Sequence, residues 1–227
     1  MARMRQVKEQ LKAQLQSDQW REHLPSITDG GIGHVGPLFA MLLLGPLMMH
    51  RAAHALGGLC AQLTTEAPEQ GRSIIRRFMW HMNEESGNIG WGIPESFAEC
   101  LAQNALLAKE YHRILLSYIM DTKQEDNFCD NNILRRSCFW AVGRLAQEQP
   151  EHCVGARAWL VKGLDDEDVP CRGMAAWALT QLPQNLMDAP ALRRLAESGR
   201  TEPCTLFDGN TVYEMTVSDL ARAALAR

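Results

Sequence analysis

Leu134-Arg135-Arg136-Ser137-Cys138-Phe139-Trp140-Ala141-Val142-Gly143 decides the fold, because three other stretches of the chain align with it. They are Met48-Met49-His50-Arg51-Ala52-Ala53-His54-Ala55-Leu56-Gly57, Gly90-Trp91-Gly92-Ile93-Pro94-Glu95-Ser96-Phe97-Ala98-Glu99 and Cys171-Arg172-Gly173-Met174-Ala175-Ala176-Trp177-Ala178-Leu179-Thr180. A leucine follows each at the same distance (Leu59, Leu101, Leu145 and Leu182), and the segments are offset by 42, 44 and 37 residues. Periods of this length belong to stacked helical hairpins, since one such unit cannot bury its apolar face alone.

Working outward, a partner helix is expected before each aligned segment, over 37–44, 72–82, 110–121 and 153–164, with a fifth over 191–198. Apolar residues recur there at helical spacing, as in Tyr111, Leu115, Tyr118 and Ile119. Asp and Asn in the intervening stretches, such as Asp165 to Asp168, suit helix caps. Strand-like alternation is nearly absent before residue 200. Beyond it, Cys204 to Phe207 and Thr211 to Met215 flank Asp208-Gly209-Asn210, which reads as a β-hairpin, and Ser218-Asp219 opens a last short helix. The hairpin is expected to cover the open end of the array, with an edge for a partner as the alternative.

The resulting expectation is an all-α, right-handed α-solenoid with a small C-terminal β-hairpin. Residues 1–34 form a capping helix (Met4, Val7, Leu11 and Leu15 on one stripe) and a Gly-rich loop; 35–198 form four to five hairpins; 199–227 form the hairpin and a short helix cap. Leu134 to Gly143 and Met48 to Gly57 resemble the second helix of HEAT-like repeats, in the variant of phycobilin-lyase-type HEAT proteins. The string from Asn83 to Glu95 is also similar to that of a group of bacterial HEAT-like proteins. The resemblance implies the fold over roughly residues 35–198 and carries no activity with it.

Composition narrows the function classes. The 227 residues are 46% hydrophobic, enough for a sizeable core. Lys+Arg 23 against Asp+Glu 27 gives a net charge of −4, which makes nucleic acid an unlikely partner. Only five of the basic residues are lysine, a bias toward fixed planar ion pairs. The longest apolar run, Val35 to Met49, is too short for a membrane span and is broken by Gly and Pro, so no membrane partner and a cytoplasmic location are expected. The seven cysteines include no C-x-x-C pair, and they read as reduced core residues.

The second aligned segment departs from its siblings. Pro94 lies where the others are already inside a helix, so that helix must start about a turn late, after a loop bearing Gly87, Gly90 and Gly92. Such a loop either packs between hairpins or binds, with Trp91 as an apolar plate and Glu84, Glu85, Asn88 and Glu95 around it. Second helices commonly line the concave face of a curved solenoid. His50, Arg51, Arg135, Arg136 and Arg172 are therefore candidate contacts there, against the competing reading that Arg135 and Arg172 pair with loop carboxylates. His50 and His54 share a helix face, but no third ligand is fixed by spacing, and neither a metal nor a cofactor is expected. No nucleophile motif appears. The sequence thus points to a non-enzymatic scaffold for a protein or peptide partner. The alternatives are a HEAT-like enzyme, of lyase or DNA-glycosylase type, and a sensor of a small anion at residues 86–92.

Overall fold

The computed structural model describes residues 2–83, 90–124 and 127–227. The chain opens with α1 (Ala2–Gln16), a 3-10 turn at Trp20–His23 and the short α2 (Leu24–Thr28). Five helix pairs follow in register along one axis. They are α3 (Ile32–Met41) with α4 (Pro46–Glu66), α5 (Pro68–Met82) with α6 (Ile93–Ala102), α7 (Ala105–Ser117) with α8 (Asn132–Glu148), α9 (Arg157–Gly163) with α10 (Val169–Thr180), and α11 (Ala189–Glu197) with α12 (Val217–Leu225). The second helix of each pair packs on the second helix of the next, α4 on α6, α6 on α8, α8 on α10 and α10 on α12. This continuous inner row makes the fold a helical-repeat α-solenoid.

Small side chains let the inner row pack closely. Ala52, Ala53, Ala55, Ala98, Ala141, Ala175, Ala176 and Ala178 are all buried there. At Gly57 of α4, a Cβ would stand 2.8 Å from the Glu99 carbonyl oxygen, so the α4–α6 contact needs glycine at that point. All seven cysteines are buried thiols, and those of Cys60, Cys100 and Cys153 face backbone carbonyls.

Helix boundaries follow local chemistry. Asn104, Asn131 and Asp168 cap α7, α8 and α10 through their side chains. The Asn104 cap and Pro68 at the head of α5 move those outer helices several residues upstream of the expected starts. The outer helix of the fourth pair begins late, at Arg157, after two 3-10 turns between Pro150 and Ala156. α6 opens at Ile93 with Pro94 in its first turn, the late start that the proline requires.

Two arginines clamp α8 to the head of α10. Arg135, only 2% exposed, makes a bidentate pair with Asp166 (2.9 Å from both Nε and Nη2) and donates to the Cys129 and Asp130 carbonyls. Arg136 makes a second bidentate pair with Asp168, at 2.8 and 2.6 Å, while Asp168 caps α10.

The hairpin comprises β1 (Pro203–Phe207) and β2 (Val212–Thr216), antiparallel, with Phe207 opposite Val212 and Pro203 opposite Thr216. Its turn is closed by Asp208, whose carboxylate accepts the Asn210 and Thr211 amides at 2.8 Å, and by Gly209 at φ +94°. The position of the hairpin corrects the sequence expectation. It does not cover the end of the array: it is inserted between α11 and α12, runs back over the inner row, and its tip reaches the first repeat. There Arg21 donates to the Gly209 carbonyl, Arg51 to the Asn210 carbonyl and Trp20 Nε1 to Asn210 Oδ1. Among the described residues no helix is long and apolar enough to cross a membrane.

Candidate binding clefts on the inner helix row

The hairpin divides the inner face in two. Phe207, at the end of β1, lies flat on His50 of α4, with ring centroids 4.8 Å apart and planes 2° from parallel. His50 also touches Trp140 of α8 at 4.8 Å, and Trp140 stacks on Trp177 of α10 at 6.0 Å. Helices α4, α8 and α10 thus carry a connected run of rings, and the hairpin joins it through Phe207 on His50.

On the β2 side lies a cleft of about 470 Å³ with Glu99 of α6 at its wall. Glu99 accepts from Arg144 Nε (2.8 Å), Arg144 Nη2 (3.2 Å) and Gln103 Nε2 (2.9 Å), and His54 Nδ1 is 3.1 Å away. Burial alone pushes this carboxyl up, but the hydrogen bond from His54 and the charge of Arg144 outweigh it and hold Glu99 at about 2. Three of these contacts fall on Oε2 and one on Oε1, so the carboxylate is charge-compensated by Arg144 and its Oε2 is fully engaged within the chain.

On the β1 side lies a cavity of about 260 Å³, walled by His50, Trp91, Glu95, Ser137, Trp140, Met174 and the strand at 203–205. Glu95, His50 and Trp140 are 3%, 5% and 4% exposed. Glu95 Oε2, His50 Nδ1 and Trp140 Nε1 have no hydrogen-bond partner among the described residues. Burial without a cation pushes the Glu95 carboxyl up, with Ser137 opposing in part, and burial lowers His50 to about 4. His50 is therefore neutral at pH 7. A buried polar atom left unpaired costs roughly 1–3 kcal/mol, so three around one cavity are a large concentration of unmet hydrogen bonding.

The backbone that shapes this cavity is fixed by Gly92. It caps α6 at φ +74°, and a Cβ there would stand 2.8 Å from Leu42 Cβ and 3.0 Å from Met49 Cγ. Its close approach is therefore to α3–α4 packing, and it seats Trp91, half-buried, at the cavity mouth.

Of the ten residues singled out from sequence, the structure brings His50, Trp91, Glu95 and Arg136 to this cavity. Glu84, Glu85 and Asn88 lie outside the described residues. Arg51 is buried and donates to the Leu15, Ser17 and Asn210 carbonyls, tying α1 and the hairpin tip to α4. Arg135 faces Asp166 rather than the inner row, and Arg172 donates to the Asp166 carbonyl. Arg51 is held by the chain itself, which corrects its expected presentation on the concave face, while Arg135 and Arg172 follow the competing reading of loop partners, Arg135 on the Asp166 carboxylate and Arg172 on the Asp166 carbonyl. Arg136 edges the cavity, but its guanidinium is taken by Asp168. Sequence reasoning passed over Trp140, Met174, Glu99 and Phe207.

No protein-family model matches the chain, and no curated protein matches it in sequence. Solved structures do match in shape. A designed armadillo repeat protein in complex with the peptide (KR)4 is 19% identical, with 96% of this chain and 97% of that one covered and a TM-score of 0.52. An engineered protein from a structural genomics consortium is 15% identical, with 98% and 88% covered and a TM-score of 0.57. The chain has the helical-repeat solenoid fold. At these identities the likeness speaks for fold alone.

Proposed function

We propose that the chain is a non-enzymatic binding scaffold whose inner helix row takes an extended segment of a protein partner. One observation carries this reading: the row already holds an extended segment, the chain's own hairpin. Its strand is seated by an aromatic anchor, Phe207 on His50, and its turn is held by Arg51 on the Asn210 carbonyl and Arg21 on the Gly209 carbonyl. A ring seated on an aromatic face anchors an extended strand and supplies selectivity, and the grips at the turn fix where that strand lies. The designed armadillo neighbour, solved with a peptide, makes the same use of such an architecture conceivable for this chain.

In this reading the hairpin is the resident occupant, and a partner must displace it. A tethered occupant acts at an effective concentration of the order of mM, so a partner segment binds only if its intrinsic affinity is well above the hairpin's own. Membership among HEAT-like repeats of the phycobilin-lyase type, and a cytoplasmic site of action, belong to the same proposal. An enzyme of lyase or glycosylase type gains no support from the inner face. Glu99 is compensated by Arg144 and held ionised, and Arg136 and Arg144 are engaged by carboxylates rather than free for a phosphate backbone. An anion at the Trp91 cavity would meet the unpaired Glu95.

Selection from a library of linear peptides tests the proposal, using the wild-type chain and a Phe207→Ala variant whose hairpin has lost its anchor. Enriched peptides are expected mainly on the variant, and hydrogen exchange should place their footprint on α4, α8 and α10. Peptides that protect the outer helices instead, or equal enrichment on both chains, would defeat it.

A further inference from the structure

The cavity beside β1 is complete with the hairpin in place, so what it binds is a question separate from any partner segment. The geometry points to a small-ligand site for planar amidine-type compounds, those presenting two N–H groups on one N–C–N edge, with Glu95 as the pairing group. Three features of the cavity set that chemistry.

First, its lining is largely apolar and aromatic: Trp91, Trp140, the His50 ring and the polarisable thioether of Met174 stand in it. A planar body of roughly ten heavy atoms suits 260 Å³ between such walls. Second, the single carboxyl in that wall set is Glu95, with Oε2 unpartnered among the described residues. A carboxyl group pairs most completely with two parallel N–H donors, which is the geometry of an amidine, an amino-substituted N-heterocycle or a guanidine. Such an edge also supplies the positive charge that a buried carboxylate lacks here, because the guanidinium in the cavity lining, Arg136, is paired with Asp168. Third, Trp140 Nε1 can only donate, so it calls for an acceptor elsewhere on the ligand, and the neutral His50 ring can serve either way through Nδ1. An anionic ligand fails the second condition, and a purely apolar one leaves all three atoms unpaired.

The N–C–N donor edge has two possible sources: a free small molecule, or an arginine side chain inserted from a peptide. Calorimetric titration of the full chain separates them, with benzamidine, benzamide, benzoate and a blocked Gly-Arg-Gly peptide as probes. Benzamide keeps the shape of benzamidine and replaces one nitrogen by oxygen. Benzamidine is expected to bind, to shift the indole N–H resonance of Trp140 (assigned with Trp140→Phe), and to lose about tenfold or more in affinity in the isosteric Glu95→Gln chain. Benzamide should bind at least about tenfold more weakly on the same ground, and benzoate not at all. Tighter binding of the blocked peptide would support the donor edge and assign it to an arginine side chain; tighter benzamidine would support it and assign it to a free compound. Trp91→Leu, which changes a wall and leaves the pairing group, should weaken benzamidine and the peptide together. The inference is overturned if none of the probes binds, if benzamide equals benzamidine, or if Glu95→Gln leaves benzamidine affinity unchanged while its circular dichroism matches wild type.

Discussion

Glu95 and Glu99 sit one turn apart on α6, each 3% exposed, and they meet opposite fates. Glu99 is ionised, held near 2 by His54 and Arg144, and it ties α4, α6 and α8 together. Glu95 has no cation and an orphaned oxygen, and its carboxyl is pushed up. The β-hairpin runs between the two clefts they wall. The difference teaches that burial of a carboxyl does not define its role. A buried carboxylate compensated by a cation is part of the frame, and a buried carboxyl left unpaired at a cavity is a candidate for recognition.

The largest expected effect breaks the comparison from the Glu99 side. Glu99→Ala leaves Arg144 buried without its main partner, and urea unfolding should show a loss of about 3–5 kcal/mol. Next comes acid. Glu99 lies well below an ordinary carboxylate, so its stabilisation is full above pH 4.5 and drains as pH falls toward 2, by up to about 3 kcal/mol. His50, lowered from 6.5 to about 4, resists protonation in the folded chain alone. Its contribution is full above pH 6.5 and is lost as pH falls toward 4, again by up to about 3 kcal/mol. A His50→Phe chain should lose that slope between pH 6.5 and 4, and the slope below 4 should remain.

A smaller effect is expected at the hairpin. Phe207→Ala removes a half-buried ring from His50 and should cost about 1–2 kcal/mol, with amide exchange rising first at 204–215 rather than in the helices. The smallest effect sharpens the comparison from the Glu95 side. A raised carboxyl favours the folded chain at low pH and disfavours it as pH rises past the ordinary carboxylate value. Glu95→Gln removes that penalty and should be neutral or stabilise by about 1 kcal/mol at pH 7, with the gain vanishing at pH 4.

The repeats were legible because each inner helix carries the same small and aliphatic residues at the same spacing, and that periodicity is local. The hairpin's own form was legible for the same reason, since Asp208-Gly209 dictates a turn wherever it lies. Its seat was not, because Trp20 and Asn210 are 190 residues apart and no local pattern joins them. The arginines were open to two readings for a related reason. Arg135 and Arg172 align with Trp91 and Met49 in the repeat, but their side chains follow Asp166, a loop residue outside the repeat pattern. Two signals lay in the aligned segments unused. Glu95 stands in a column with Ala53, Phe139 and Ala176, and Glu99 in one with Gly57, Gly143 and Thr180. A carboxyl in a column of small or apolar residues must either find a cation or remain unmet, and this chain contains one of each.

In the proposed scaffold the inner row is a receptor for extended chain, and the hairpin fills it. The most direct measurement restores the hairpin from outside. Residues 203–216 are replaced by a Gly/Ser linker, and the excised segment is titrated back as a free peptide under fluorescence anisotropy. The account predicts saturable binding of that peptide to the shortened chain, weakened by Phe207→Ala in the peptide and absent for the intact chain. A shortened chain with undiminished helicity that ignores the peptide, or that binds a scrambled version equally well, would contradict it.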